Sequence, residues 1–246
     1  MTMYKKIFTM LTVSALLWTT KLDAQLFVGV EAGINRNYLI TNTSDKPFFE
    51  YQPSQGYSAG IPIRYAFPKL SWFGGIQAIP SFVQKNYRIQ RTGYYSPMYQ
   101  QTNNNYVELP VMAQFKFGGN IAKSQSLHGI LNLGGYGSYW MNSHVKGRAL
   151  SPMDQENYQE FDESYTFNST KDRRFQWGGL AGVGLQYMPN KQYVVSIEGR
   201  YAPSFSDIQK NYSENQTPRY NDTYSILLSF QYQLSSLTKS NRKTGK

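Results

Sequence analysis

Hydrophobic and polar residues alternate one for one through much of this chain. In "NYVELPVMAQFKFGG", Asn105 to Gly119, one parity carries Val107, Leu109, Val111, Ala113, Phe115 and Phe117; the other carries Glu108, Gln114 and Lys116, beside Pro110 and Met112. Successive side chains of a strand point to opposite faces, so the pattern predicts a strand with one apolar and one polar side. Segments that alternate in this way, or that are rich in Gly and aromatics, recur eight times: residues 26–37, 57–67, 72–88, 106–118, 127–141, 174–188, 192–205 and 223–235. The connections between them alternate in length. "PKLS", "GNIAKSQS" and "PNK" are short, whereas Tyr38 to Gly56, Ile89 to Asn105, Asn142 to Arg173 and Ser206 to Asp222 are long.

In the last segment Tyr224, Ile226, Leu228, Phe230, Tyr232 and Leu234 alternate with Ser225, Leu227, Ser229, Gln231 and Gln233. One face suits lipid and the other suits water or polar partners. The expected fold is all-β: an eight-stranded antiparallel transmembrane outer-membrane β-barrel with short periplasmic turns and long extracellular loops. A soluble β-sandwich would alternate as well, but the asymmetry of loop lengths weighs against it. Strand direction puts Tyr65, Phe67, Trp72, Phe117, Tyr187, Tyr193 and Tyr232 in a periplasmic aromatic girdle, and Tyr57, Tyr106, Tyr139, Phe175, Tyr201 and Tyr224 in an outer one. Pro62, Pro80, Pro110 and Pro203 fall inside expected strands, where a residue without an N–H is normally confined to an edge or a bulge, so bends are expected there.

The same parity sends Glu31, Arg64, Gln77, Glu108, Lys116, Asn132, Gln186, Glu198, Arg200 and Gln231 inward. Eight strands enclose a space just wide enough for side chains, so these residues are expected to form a polar plug and not a pore. Glu31, Arg64, Glu108, Lys116, Glu198 and Arg200 are its charged members. Glu31 and Arg64 are at a height to pair; Glu108 and Lys116 lie roughly 26 Å apart along one strand and are not.

The first residues, "MTMYKKIFTMLTVSALLWTTKLDA", place Lys5 and Lys6 before an apolar run from Ile7 to Trp18, with Leu22 and Ala24 at the positions that signal peptidase reads. The run is too short to span a bilayer. The expected organisation is a signal peptide over 1–24, a barrel over 25–236 and a basic periplasmic tail over 237–246. Cleavage removes Lys5, Lys6, Lys21 and Asp23, which lowers the net charge from +10 to +8. A mean hydropathy of −0.53 looks soluble, yet 16% of the residues are aromatic; a barrel reconciles the two, because only alternate strand residues need be apolar. For an exported protein the basic character points to lipid phosphates or an acidic partner, with no nucleic acid expected.

The chemistry of enzymes is sparse. The chain has no Cys and only His128 and His144, which leaves little to build a metal site, and no Walker or dinucleotide loop occurs, so no cofactor is expected. Ser143 and His144 are neighbours on an extended segment and point to opposite faces, an arrangement poor for a nucleophile and its base, as a lipid-A hydrolase would need. The long third loop is rich in acids without EF-hand spacing. Its Tyr158, Phe161, Tyr165 and Phe167 are the expected partner-binding residues.

"NNYVELPVMAQFKFG" resembles the fourth-strand signature of the PorT-like outer-membrane barrels of Bacteroidota, in which a Tyr, an acidic residue and a following Pro precede an alternating apolar run. "GGIQAIPSFVQKNYRI" resembles the preceding strand of that family, and the Pro of the signature matches Pro110. The resemblance implies an eight-stranded barrel in the outer membrane and a part in type IX secretion, which exports folded proteases and adhesins. An eight-stranded barrel is too narrow for a folded cargo, so the implied role is accessory, as scaffold, assembly or maturation factor, with protein partners and no catalytic residues. A structural or ligand-binding barrel is the alternative, and a lipid-A-modifying enzyme a third.

Overall fold

The computed structural model describes residues 25–41, 48–67, 70–122, 125–151, 157–210 and 217–236. The expected signal peptide and basic tail lie outside them. Twelve strands form one antiparallel sheet: β1 (Gln25–Thr41), β2 (Phe49–Gly60), β3 (Ile63–Ala66), β4 (Phe73–Ala78), β5 (Ser81–Gln84), β6 (Tyr87–Arg91), β7 (Tyr99–Asn120), β8 (Ser126–Leu150), β9 (Tyr158–Ser164), β10 (Phe175–Met188), β11 (Tyr193–Pro203) and β12 (Arg219–Ser236). The regular structure among the described residues is otherwise a single 3-10 turn at Gly93–Tyr95.

Twelve strands stand where eight were expected, and proline accounts for part of the difference. The segment expected at 57–67 is broken at Pro62, and the one at 72–88 is broken at Pro80 and again after Gln84. A proline has no N–H for the ladder, but its carbonyl still accepts. Gly29 donates to Pro62 O at 3.1 Å and Ile61 to Pro80 O at 3.0 Å, so the fragments stay in line across each break. Pro110 remains inside β7, buried, with its carbonyl taking the Ile79 N–H at 3.0 Å, and Pro203 closes β11. Gly75 permits the bulge between Phe73 and Gly75: its φ of 135° is one that side chains rarely adopt.

The remaining difference is β9. It pairs with β8 from His144↔Ser164 to Leu150↔Tyr158, so much of the expected third loop is a hairpin. This stretch has no alternation of polarity, and its register rests instead on cross-strand pairs.

The sheet order is β5-β2-β6-β7-β4-β3-β1-β12-β11-β10-β8-β9, with β5–β7, β2–β1 and β7–β8 pairing in addition. β1 starts and β12 ends at one end of the sheet, the termini end; the other is the far end. The two faces differ sharply. Val30, Ile34, Val107, Leu109, Val111, Leu133, Val183, Leu185, Ile197, Ile226, Leu228 and Phe230 are all exposed on one face. Tyr65, Trp72, Phe117, Tyr187, Tyr193 and Tyr232 are exposed near the termini end of that face, and Tyr57, Tyr139, Phe175 and Tyr224 near its far end. Tyr106 departs from the expected girdle. It is fully buried, because it shares the even parity of Glu108 and therefore faces inward.

The other face is buried and mostly polar. Arg64 on β3 reaches Gln186 on β10 at 2.9 Å, although those strands are four places apart in the sheet order, roughly 19 Å in a flat sheet. The sheet therefore curls around its polar face. Small apolar clusters punctuate that interior: Phe27, Ala66 and Val194 near the termini end, Ile79, Met112 and Leu180 midway, and Leu39, Tyr87 and Ile208 near the far end.

Candidate functional site

Two places concentrate charged and aromatic side chains: the buried interior and the far-end hairpin. All ten residues assigned inward by parity are buried except Lys116, which is partly exposed. Their partners differ from those expected. Arg200 on β11 sits between two carboxylates, donating to Glu31 at 3.0 and 3.1 Å and to Glu198 at 2.8 and 3.1 Å. Glu198 also accepts the Asn132 amide at 2.8 Å. Room for this comes from Gly182, where a Cβ would stand 2.1 Å from Glu198 Oε1. Gly182→Val is expected to destabilise the fold by about 1–3 kcal/mol, because the carboxylate it meets is already fixed by Arg200; a urea unfolding midpoint equal to that of the native chain would contradict this.

Arg64 does not pair with Glu31. Its Nη1 donates to Gln114 Oε1 at 2.7 Å and to Gln186 Oε1 at 2.9 Å, and the guanidinium lies 4.8 Å from the Phe27 ring centre. The reason is height along the strands: register places Arg64 opposite Phe27, four residues and roughly 13 Å from Glu31. β3 and β1 are neighbours, but Arg200 reaches Glu31 first, and two glutamine carbonyls occupy Arg64.

Glu108 pairs with a residue that the sequence reading missed. Lys85 Nζ lies 2.7 Å from Glu108 Oε2, with only 1% of the Lys85 side chain exposed, and the ammonium also lies over Tyr136 at 4.4 Å and Tyr106 at 5.2 Å. At the break after Gln84, Lys85, Asn86 and Tyr87 all face inward, and Asn86 Oδ1 takes the Asn104 N–H at 3.0 Å that a regular ladder would have paired. A signal was present, since Lys85 shares the odd parity of Gln77. Farther up, Tyr106 OH accepts from Gln176, Gln176 Oε1 from Asn221, Asn221 Oδ1 from Asn37, and Asn37 Oδ1 from Thr223, at 2.9–3.3 Å. The space between the Arg200 group and Lys85–Glu108 is a cavity of about 20 Å³, room for roughly one water.

At the far end β8 and β9 carry matched charges. Arg148 donates to Glu160 at 2.9 Å, which holds the exposed guanidinium above its ordinary pKa, and His144 Nε2 meets Asp162 Oδ1. Ser143 is buried and His144 exposed, on opposite faces. The four aromatics expected to bind a partner are not equivalent. Tyr158 and Phe161 lie on β9, with Phe161 against Gly147. Tyr165 and Phe167 instead pack on buried Trp140, with ring centres 6.0 and 4.9 Å away, and Arg174 lies 4.4 Å over Phe167. Asp172 fixes this platform by accepting from Tyr165 OH at 3.0 Å and Asn168 N at 2.6 Å.

A family model described as "Outer membrane protein beta-barrel domain" matches residues 23–210. Among solved structures the chain is similar to the outer membrane protein OprG from Pseudomonas aeruginosa, at 13% identity over 87% of this chain and 98% of that one, with a TM-score of 0.48. It is also similar to Neisserial surface protein A, at 11% identity over 85% and 98% with a TM-score of 0.40. Ail, the attachment invasion locus protein of Yersinia pestis, matches at 14% identity over 85% and 99%, with a TM-score of 0.36. No curated protein matches the chain.

Proposed function

The chain belongs to the outer membrane protein β-barrel family, and from that premise we propose that it is an accessory component of type IX protein secretion, a scaffold, assembly or maturation factor without catalytic residues. Its place is the outer membrane. In this reading the twelve strands make eight staves of a closed transmembrane barrel. β2 with β3 is one stave, β4 with β5 and β6 is another, and β9 extends the hairpin of β8. The pairings β1–β12, β1–β2, β1–β3 and β7–β8 join the staves in a ring. The termini end is periplasmic and the far end faces outward.

The observation that carries the proposal is the filled interior. Between Glu31, Lys85, Glu108 and Arg200 there is space for about one water, so neither a folded cargo nor an extended chain passes through. A barrel with such a plug serves a secretion machine from its rims. The resemblance of "NNYVELPVMAQFKFG" and "GGIQAIPSFVQKNYRI" to the PorT-like barrels supplies the machine. Deletion of the gene is expected to abolish secreted protease activity and to trap unprocessed cargo in the periplasm; normal secretion would remove the proposal. Planar-bilayer recordings of the purified protein are expected to show no steady conductance, and a stable open current would overturn the plugged interior.

Orientation has its own test, because the chain has no cysteine. A Lys191→Cys variant, on the exposed connection between β10 and β11, is expected to react with a membrane-impermeant maleimide only after cells are lysed. Labelling of intact cells would reverse the assignment of the two ends.

A second reading, a ligand-binding barrel, has one specific observation behind it. β1 and β2 part company beyond Asn37↔Ser54, and a recess of about 500 Å³ opens there, lined by Tyr38, Leu39, Ile40, Phe49, Tyr51 and Glu50. Saturable binding of an apolar ligand by the isolated protein, lost on filling the recess with Leu39→Trp, would favour it.

A further inference from the structure

Charge is divided along the strands. Among the described residues, 25–30, 61–67, 70–78, 112–122, 125–132, 183–197 and 226–236 make up the termini end of the strands and the connections there. They contain no Asp or Glu, but they do contain Arg64, Lys116 and Lys191. The acids among the described residues all lie midway or toward the far end.

The division extends to the buried face. Lys116 on β7 and His128 on β8 are both partly exposed there, and register places them close, with Lys116 opposite Ile130 and Gly118 opposite His128. Above them is Arg64, 2% exposed, held by two amide carbonyls and the Phe27 ring, with its Nε buried and unpartnered. None of the ion pairs among the described residues involves Arg64, Lys116 or His128. The Lys116 ammonium at the mouth and the Arg64 guanidinium behind it, with no carboxylate paired to either among the described residues, concentrate a positive potential between low-dielectric walls, and the His128 ring beside them offers a hydrogen bond.

We propose that the termini end is a docking face for an extended acidic peptide segment of another protein, whose carboxylates meet Lys116 and His128 inside the mouth. The argument for a peptide and against lipid headgroups is position. Lipid surrounds the apolar face, whereas Lys116 and His128 are on the opposite face, where only a chain entering from the end reaches them. The proposal rests on the closed-barrel reading above, and the periplasmic location of the partner rests on the orientation given there.

The test uses the purified full chain in an uncharged detergent and a fluorescent glutamate-rich peptide of about a dozen residues, followed by polarisation. Saturable binding that weakens steeply with salt is expected, with the double variant Lys116→Gln, His128→Gln raising Kd by about tenfold. Lys116→Arg should retain the affinity. Lys146→Gln, at the far end, should leave it unchanged. Circular dichroism confirms folding of each variant, and Lys191→Gln, at an exposed site away from the packed interior, gives a smaller loss of about twofold in the same direction. Unchanged Kd in the double variant overturns the proposal. So does loss of peptide binding in phosphatidylglycerol nanodiscs when it persists in phosphatidylcholine ones, since the anionic lipid would then be the ligand of this end. Neither result depends on cargo secretion, so the docking face and the secretion role fail separately.

Discussion

Replacing Arg200 by leucine is expected to cost about 3–5 kcal/mol of folding stability, enough to leave much of the chain unfolded under ordinary refolding conditions. The substitution removes five donors and leaves Glu31 and Glu198, each about 6% exposed, facing one another across the interior with only the Asn132 amide between them and bare charge. Two buried carboxylates without a cation are far worse than the trio they came from, because desolvation is no longer offset by the ion pairs. The check is urea unfolding of detergent-refolded protein. A midpoint matching the native chain would show that Arg200 does not hold the interior together. Glu31→Leu, Glu198→Leu, Arg200→Leu in one chain is expected to recover most of the loss, since no uncompensated charge then remains, and this separates the ionic account from simple loss of packing.

The membership of that trio was legible in the sequence, whereas its pairing across strands was not. Parity alone sent Glu31, Glu198 and Arg200 to one face, because a strand offers each side chain only two directions. The spacing of two along β11 brings Arg200 beside Glu198, but which acid it meets on another strand depends on register and on how far the sheet curls, and no spacing along one strand encodes that. Thus Glu31, expected beside Arg64, belongs to Arg200. Tyr106 shows the converse: its parity with Glu108 placed it inside, and the girdle expected on position along the strand gave way to it. β9 was invisible for another reason. "YQEFDES" has no buried face, so nothing in its hydrophobicity could alternate, and it is a strand because Arg148, Lys146 and His144 lie opposite Glu160, Asp162 and Ser164. Pro62 and Pro80 did mark the places where the ladder breaks. Lys85 keeps the inward parity of Gln77 and Val83, whereas the break that follows, marked by no proline, was not legible.

Lys85→Met is expected to cost about 3–5 kcal/mol, Glu108→Gln less, and the double variant Lys85→Met, Glu108→Leu little. The asymmetry follows from what each partner retains. Without Lys85, Glu108 is a buried carboxylate that has lost its cation. Without the Glu108 charge, Lys85 still has the same two ring faces at 5.2 and 4.4 Å, an interaction worth about 2 kcal/mol when desolvated, and the glutamine carbonyl to accept a proton. Unfolding midpoints of the native chain and the three variants test this order. Equal losses for the two single variants would mean that the rings contribute nothing to the lysine. A double variant worse than either single one would mean that Lys85 and Glu108 are not coupled across their 2.7 Å contact. The predicted order, Lys85→Met worst and the double variant best, requires that the pair be held for the neutrality of the interior and not as a net source of stability.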